Sequence, residues 1–420
     1  MWSTINQNVK NVNKHTVLDL IRFTPGGISR VEIARRMGLT RAAVSAIVND
    51  LLGSGIIREA ESINLHSGRP PVVLEIDPAG GYVVGIDFGA SHISLLVADL
   101  AAHILEENEI AFDIQQGPVT SLEQADQLLG EILSKAGLVL KDIVAIGVGV
   151  PGPIVTEAGI VLSPPIMPGW DRFPIRDTLE KKWGCRVSLN NDAELGVLGE
   201  WAAGAGRGER NLAYIKVGTG IGCGLLLDGQ IYRGVTGSAG EIGHLTIDEN
   251  GPICACGNQG CLEAIAGGRA IAQQAQEAIN KGQRTQLSSF QITGTITARD
   301  VAAAARKGDL VAQQILGRAG SYIGIALAGL VNLFNPGMVI IGGGVAQTGD
   351  ILLEPIRQAV QRRSLPAATR VVRITTAMLG RRSSSMGAVI QALTLALHQD
   401  TDRKEVVVTA KARKKSLVPN

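Results

Sequence analysis

The tightest constraint in this chain is one short segment, His244-x9-Cys254-x-Cys256-x4-Cys261. Five cysteines occur in 420 residues, and three of them fall within eight positions, joined by one upstream histidine. In a reducing compartment such clustering reads as metal ligation rather than disulfide pairing. Three thiolates and one imidazole complete a closed tetrahedron, the donor set of a structural Zn2+ with no position open to a catalytic water. Buried free thiols are the alternative reading. Cys185 and Cys223 stand alone and read as small core residues. Glu241 lies three residues before His244, and Glu263 two after Cys261. A metal knot would hold these carboxylates and the imidazole at fixed spacing for the hydroxyls of a polyol. Solvated loop carboxylates are the plainer alternative.

The rest of the chain is rich in glycine and poor in aromatics: 52 Gly against 3% Phe, Trp and Tyr, with 45% hydrophobic and 19% charged residues. That balance excludes disorder except at the ends, and it suits an α/β fold with many turns. No uninterrupted apolar run reaches the ~18–20 residues of a membrane span. The first residues show no basic stretch followed by an apolar one, so a cytoplasmic protein without a membrane partner is expected. Three glycine clusters end apolar strands: Asp87-Phe88-Gly89-Ala90-Ser91, Gly218-Thr219-Gly220-Ile221-Gly222-Cys223-Gly224 and Gly342-Gly343-Gly344. Bare backbone at strand ends lets amides approach a phosphate, and an Asp nearby can organise hydrated Mg2+. Asp87, Gly89, Ser91, Gly218, Thr219, Gly220, Gly222, Gly342, Gly343 and Gly344 are therefore the candidate nucleotide positions, with tight turns as the alternative. Ala90 brings a Cβ to a turn where positive φ is expected. Between the first two clusters, Asn190-Asn191-Asp192 follows a strand. Asp192 either accepts a proton from a substrate hydroxyl or merely caps the next helix.

Charge divides the chain. Residues 1–72 carry a net +4, residues 73–398 a net −5 and residues 399–420 a net +3. A basic head on an acidic body suggests that only the head meets nucleic acid. Within it, an apolar stripe of Val12, Val17, Leu18 and Ile21 predicts a first helix over 11–23. Ser29 with Glu32 forms a capping box for a second, burying Val31, Ile33, Ala34 and Met37. Gly38 stops it, and Thr40 caps a third through Leu52. Helices joined by so short a turn make a helix-turn-helix, whose second helix enters the major groove N-terminus first. Thr40, Arg41, Ala42 and Ser45 face outward there. Two strand-like runs, 56–59 and 72–76, flank a Gly68-Arg69-Pro70 tip, so the head is a winged helix with Arg69 suited to an A·T-rich minor groove. The alternatives are a Pro-stiffened linker for the tip and protein interaction for the head.

Gly240-Glu241-Ile242-Gly243-His244 together with Cys254-Ala-Cys256-Gly257-Asn-Gln-Gly260-Cys261-Leu-Glu263 resembles the ROK family (repressors, open reading frames, sugar kinases). Gly147-Val-Gly-Val-Pro-Gly152, Asn191-Asp192-Ala193 and the glycine loops support the resemblance, which covers about residues 11–398. The winged helix is similar to that of the family's xylose and N-acetylglucosamine repressors. The resemblance implies an N-terminal winged helix-turn-helix plus an α/β actin-like ATPase (ribonuclease-H-like) two-lobed sugar-kinase fold. It implies sugar contacts from Asn191, Asp192, Glu241, His244 and Glu263, with Asp192 as base in a kinase, and Zn2+ on His244, Cys254, Cys256 and Cys261. Kinases of the family carry Asp-x-Gly-Gly-Thr where this chain has Asp87-Phe88-Gly89-Ala90-Ser91, so ATP and Mg2+ are expected only if kinase activity is retained. The expected organisation is a DNA-binding domain over 1–76, a small lobe over 77–192 completed by a helix near 383–398, a large lobe over 193–382 and a basic tail over 399–420. The expected function is a sugar-responsive repressor of carbohydrate-utilisation genes that binds double-stranded operator DNA as a homodimer or homotetramer. An ATP-dependent sugar kinase, or a protein that does both, is the alternative. The apolar helix around Ile315–Phe334, with small residues along it, is expected either at a subunit interface or inside the body.

Overall fold

The computed structural model describes residues 2–61, 72–162, 164, 166–291 and 295–398. The tip at 67–71, with Arg69, and the tail at 399–420 lie outside the described residues. Helix α1 (Trp2–Arg22) starts earlier than the apolar stripe implies. Val17, Leu18 and Ile21 are buried, but Val12 is 61% exposed. At that level the inward direction belongs to Lys14, whose buried ammonium pairs with Asp50. Helix α2 (Arg30–Met37) is capped by Ser29, whose Oγ accepts the Glu32 N–H at 3.2 Å. The Glu32 carboxylate does not reach back as a capping box requires; Arg35 and Arg36 hold it at 2.7 Å. Ile33 and Ala34 point inward, which turns Val31 to the solvent side of so short a helix. Gly38, at φ +64°, makes the left-handed stop. Thr40 then caps α3 (Arg41–Ser54), its Oγ1 accepting the Ala43 N–H. Val44, Val48 and Leu51 are buried beneath it, with Ile47 half-buried. Strands β1 (Ile57–Glu61) and β2 (Val72–Ile76) pair antiparallel as the wing.

Two sheets of the same plan follow. In the first, β3 (Tyr82–Gly89), β4 (His92–Asp99) and β5 (Ile104–Ala111) form an antiparallel meander. β6 (Ile143–Val150) and β7 (Arg186–Asn191) extend it parallel to β3, giving the order β5-β4-β3-β6-β7. Helices α4 (Pro118–Lys135) and α5 (Ile175–Trp183) cover one face of it. Helix α6 (Asp192–Ala203) leads out. In the second sheet β8 (Leu212–Val217), β9 (Ile221–Leu227) and β10 (Gln230–Ile231) again form a meander. Helices α7 (Gly268–Asn280), α8 (Leu310–Phe334) and α9 (Asp350–Arg363) pack around it. Strands β11 (Met338–Gly342) and β12 (Arg373–Thr376) join parallel to β8. The repeated meander-plus-parallel order is that of an actin-like, ribonuclease-H-like body.

Among the described residues one helix, α8, is long and apolar enough to cross a membrane by length and composition. The sequence shows no unbroken run there because Gln313, Gln314 and Arg318 interrupt it. In the fold 61% of its most apolar window is buried. Gly320 and Gly324 lie against the backbone of Leu352 and Ile356 on α9, so these two small residues are internal, whereas Gly329 on the same helix is exposed.

The last helix, α10 (Ser383–Leu397), returns to pack on β3, β6 and α6. Here backbone meets backbone. A Cβ on Gly387 would stand 1.8 Å from the Leu195 carbonyl oxygen, and one on Gly199 2.1 Å from that of Ser383. The far end of α10 carries the head. Arg22 donates to Thr394 Oγ1 and to the Ile390 carbonyl, each at 3.0 Å. His398 Nε2 lies 3.0 Å from Asp19 Oδ1 and its ring stacks on His15 at 4.4 Å. Phe23 meets Trp201 of α6 at 5.1 Å. Core residues of head and body form one continuous apolar cluster, from Leu18 and Leu51 to Val389 and Leu393.

Candidate ligand cleft and metal centre

The two sheets point the ends of β3, β6, β7, β8 and β11 at one cavity of about 900 Å³. Asp87, Gly89 and Ser91 line it from the first sheet, and Gly218, Thr219, Gly220 and Gly222 from the second. Gly343 and Gly344 close the far side. Gly342 is not among the lining residues: its Cα faces the ring of Tyr214. Ala90 does not take positive φ, so the strain expected at that turn is absent.

Asn191, Asp192, Glu241, His244 and Glu263 line the same cavity. The cap of α6 is Asn191 rather than Asp192. Its Oδ1 accepts from the Ala193 and Glu194 amides at 2.8 and 3.2 Å, while its Nδ2 donates to the Gly152 carbonyl. Asp192 is left free of the capping role and directs its carboxylate into the cleft. Glu263 accepts the Ile221 N–H at 2.9 Å and so props the glycine loop from behind. Burial pushes the Glu241 carboxyl above the usual range, against the pull of His244.

The metal ligands of the sequence reading converge. Ligand atoms of His244, Cys254, Cys256 and Cys261 all lie within 4.8 Å of one another. His244 Nδ1 is 3.7 Å from Cys254 Sγ, and Cys256 Sγ is 3.7 Å from Cys261 Sγ. A tetrahedron with metal–sulfur bonds of about 2.3 Å has sulfur–sulfur edges near ~3.7 Å, so the donors fit such an ion. The other ring nitrogen, Nε2, points to Glu241 Oε2 at 3.9 Å. One nitrogen of the imidazole faces the cysteines and the other the cleft.

The sequence reading missed two residues at the centre. Lys216, a lone cation in the apolar strand β8, places Nζ 2.9 Å from Asp192 Oδ2, 3.4 Å from Asp87 Oδ2 and 3.3 Å from Ser384 Oγ. His92 folds over the first glycine turn and brings Nε2 to 3.4 Å from the same Asp87 oxygen. Burial opposes charge on Asp87, but Lys216 and His92 outweigh it and hold the carboxyl below its ordinary value. The signal was present: a lysine inside an otherwise hydrophobic strand has to find a carboxylate.

On the head, Thr40, Arg41 and Ala42 are exposed at the N-terminus of α3, and Ser45 is half-exposed one turn on. Arg35 and Arg36 flank them but are tied to Glu32.

The ROK family model matches residues 83–395, and a MarR family model matches residues 11–64. The xylose repressor of Caldicellulosiruptor bescii is 32% identical over 381 residues, covering 91% of this chain and 95% of that protein. A glucokinase of Halalkalibacterium halodurans is 36% identical over 308 residues, covering 73% of this chain and 93% of the enzyme. The crystal structure of a ROK family transcriptional regulator, a homologue of the E. coli MLC protein, superposes with a TM-score of 0.78 at 27% identity. It covers 96% of this chain and 99% of its own.

Proposed function

The chain belongs to the ROK family, and from that premise we propose that it is a sugar-responsive DNA-binding repressor of carbohydrate-utilisation genes. The observation that carries this reading is α10. Its first turn supplies Ser384 to the cleft, and its last turns hold the winged helix through Thr394 and His398. A sugar that binds one lobe arrangement more tightly than another shifts the population of lobes, and the head follows the helix it is docked on.

The parts take the following roles. Residues 1–76 form the DNA-binding domain, with Thr40, Arg41, Ala42 and Ser45 in the major groove and Arg69 in the minor groove. Residues 77–192 with 383–398 form the small lobe, 193–382 the large lobe, and 399–420 a tail. Asp192, Glu241, His244 and Glu263 hold sugar hydroxyls, with Asn191 fixing the turn beside them. The metal is a structural Zn2+; it supplies rigidity and leaves Nε2 of His244 for the ligand. The operator is read by a homodimer or homotetramer, as two-fold sites require, in the cytoplasm.

A labelled operator fragment, titrated with protein against a panel of aldoses, tests the reading. One sugar should shift operator affinity, and Glu241→Ala should remove that shift while leaving sugar-free binding near wild type. ATP- and Mg2+-dependent turnover of an aldose, lost in Asp192→Asn and with no sugar effect on DNA, would establish the kinase alternative instead.

A further inference from the structure

Lys216 has a consequence beyond the sensor reading on which it rests. Two acids at strand ends beside glycine turns are the usual seat of a hydrated divalent cation that neutralises phosphate. Here Asp87 comes from β3 of the first sheet and Asp192 from the start of α6, and both face Lys216 on the second sheet. The side chains of Asp87, Asp192 and Lys216 are 1%, 13% and 15% exposed. Burial alone would lower the Lys216 pKa, but the Asp192 and Asp87 carboxylates more than offset it and raise it, so the ammonium stays charged. Mg2+ demands near-octahedral oxygen donors at about 2.0–2.1 Å. On these two carboxylates it would stand in contact with a positive charge that already holds both Oδ2 atoms. The buried oxygen left without a partner among the described residues, Asp87 Oδ1, is far short of an octahedral set. His92 adds a second nitrogen to Asp87 Oδ2. The donor set does not fit Mg2+.

We propose that Lys216 is a tethered cation in the place of a divalent metal, reaching from the large lobe to Asp87 and Asp192 of the small lobe, so that the cleft takes its ligand without Mg2+. Asp192 is then an ion-pair partner and not a proton acceptor. The ligand class that follows is an uncharged sugar, whose hydroxyls need no metal bridge.

Mn2+ added to zinc-replete, full-length protein, with free Mn2+ read by electron paramagnetic resonance, tests this. Wild type and Asp87→Asn should titrate identically. Lys216→Met keeps the stem and removes the charge. It should gain one Mn2+ per chain, roughly tenfold or more tighter than any wild-type site. Mg2+ should displace it, and Lys216→Met/Asp87→Asn should lose it. An Asp87-dependent Mn2+ site in wild type overturns the proposal. So does the absence of any gain in Lys216→Met when its zinc content and circular dichroism match wild type. The wild-type comparison decides even if Lys216→Met misfolds. A sugar that left operator affinity unchanged would refute the repressor reading without altering this titration.

Discussion

Arg22→Met probes the joint between head and body. Arg22 sits at the end of α1 and makes two charge-assisted hydrogen bonds to α10. Each such bond contributes about 1.5–3 kcal/mol, or roughly 3–6 for the pair. Burial works against them: it lowers the Arg22 pKa from the ordinary guanidinium value to about 10 despite Asp19 nearby. At 1.36 kcal/mol per pKa unit that opposes the bonds by about 3 kcal/mol. The net is about 0–3 kcal/mol, and the substitution strands no acceptor, because Thr394 still donates to the Ile390 carbonyl. A loss of about 1–2 kcal/mol lowers the docked-to-undocked ratio roughly 5–30-fold. Amide exchange along the C-terminal half of α1 should accelerate by that factor. Sugar affinity should stay at the wild-type value, while the sugar's effect on operator affinity shrinks. Unchanged exchange in α1 together with a full sugar effect would falsify the claim that this joint transmits the signal.

Two further outcomes are expected. Protein purified without added metal should hold one zinc per chain by elemental analysis. Cys256→Ser should lose it and bind sugar poorly, because the knot fixes His244 against the cleft; full sugar affinity in the zinc-free variant would reduce the metal to a local staple. Arg41→Ala should weaken operator binding by roughly 1–3 kcal/mol if the guanidinium reads a base, and an equal loss on random DNA would assign it to a phosphate.

Local chemistry was the legible part of the sequence. Ser29, Thr40 and Gly38 announce the helix ends of the head because caps act within a few residues of where they stand. The cysteine spacing announces its cluster for the same reason. What escaped depends on partners far along the chain. Val12 and Val31 fit an apolar pattern, yet which side of a short helix is covered depends on Lys14, Asp50 and the body beneath. Asn191 and Asp192 are adjacent and either can cap, so only the turn against Gly152 decides between them. Lys216 finds its carboxylates 24 and 129 positions away, and no local rule couples such residues.

The glycine crossing of α6 and α10 makes a stiff lever of the final helix. With carbonyl oxygens pressed against Cα atoms at Gly199 and Gly387, no side chain is present to repack, so slack cannot be absorbed there. Fifteen residues of α10 span about 22 Å at 1.5 Å each. Because the crossing lies at Ser383–Gly387, a rotation of about 15° there carries the far end, about 15 Å away, through about 4 Å. In the homodimer proposed above, two heads that must meet grooves one helical turn apart, about 34 Å, would lose register over displacements of that size. A small change at the cleft thereby becomes a large one at the DNA.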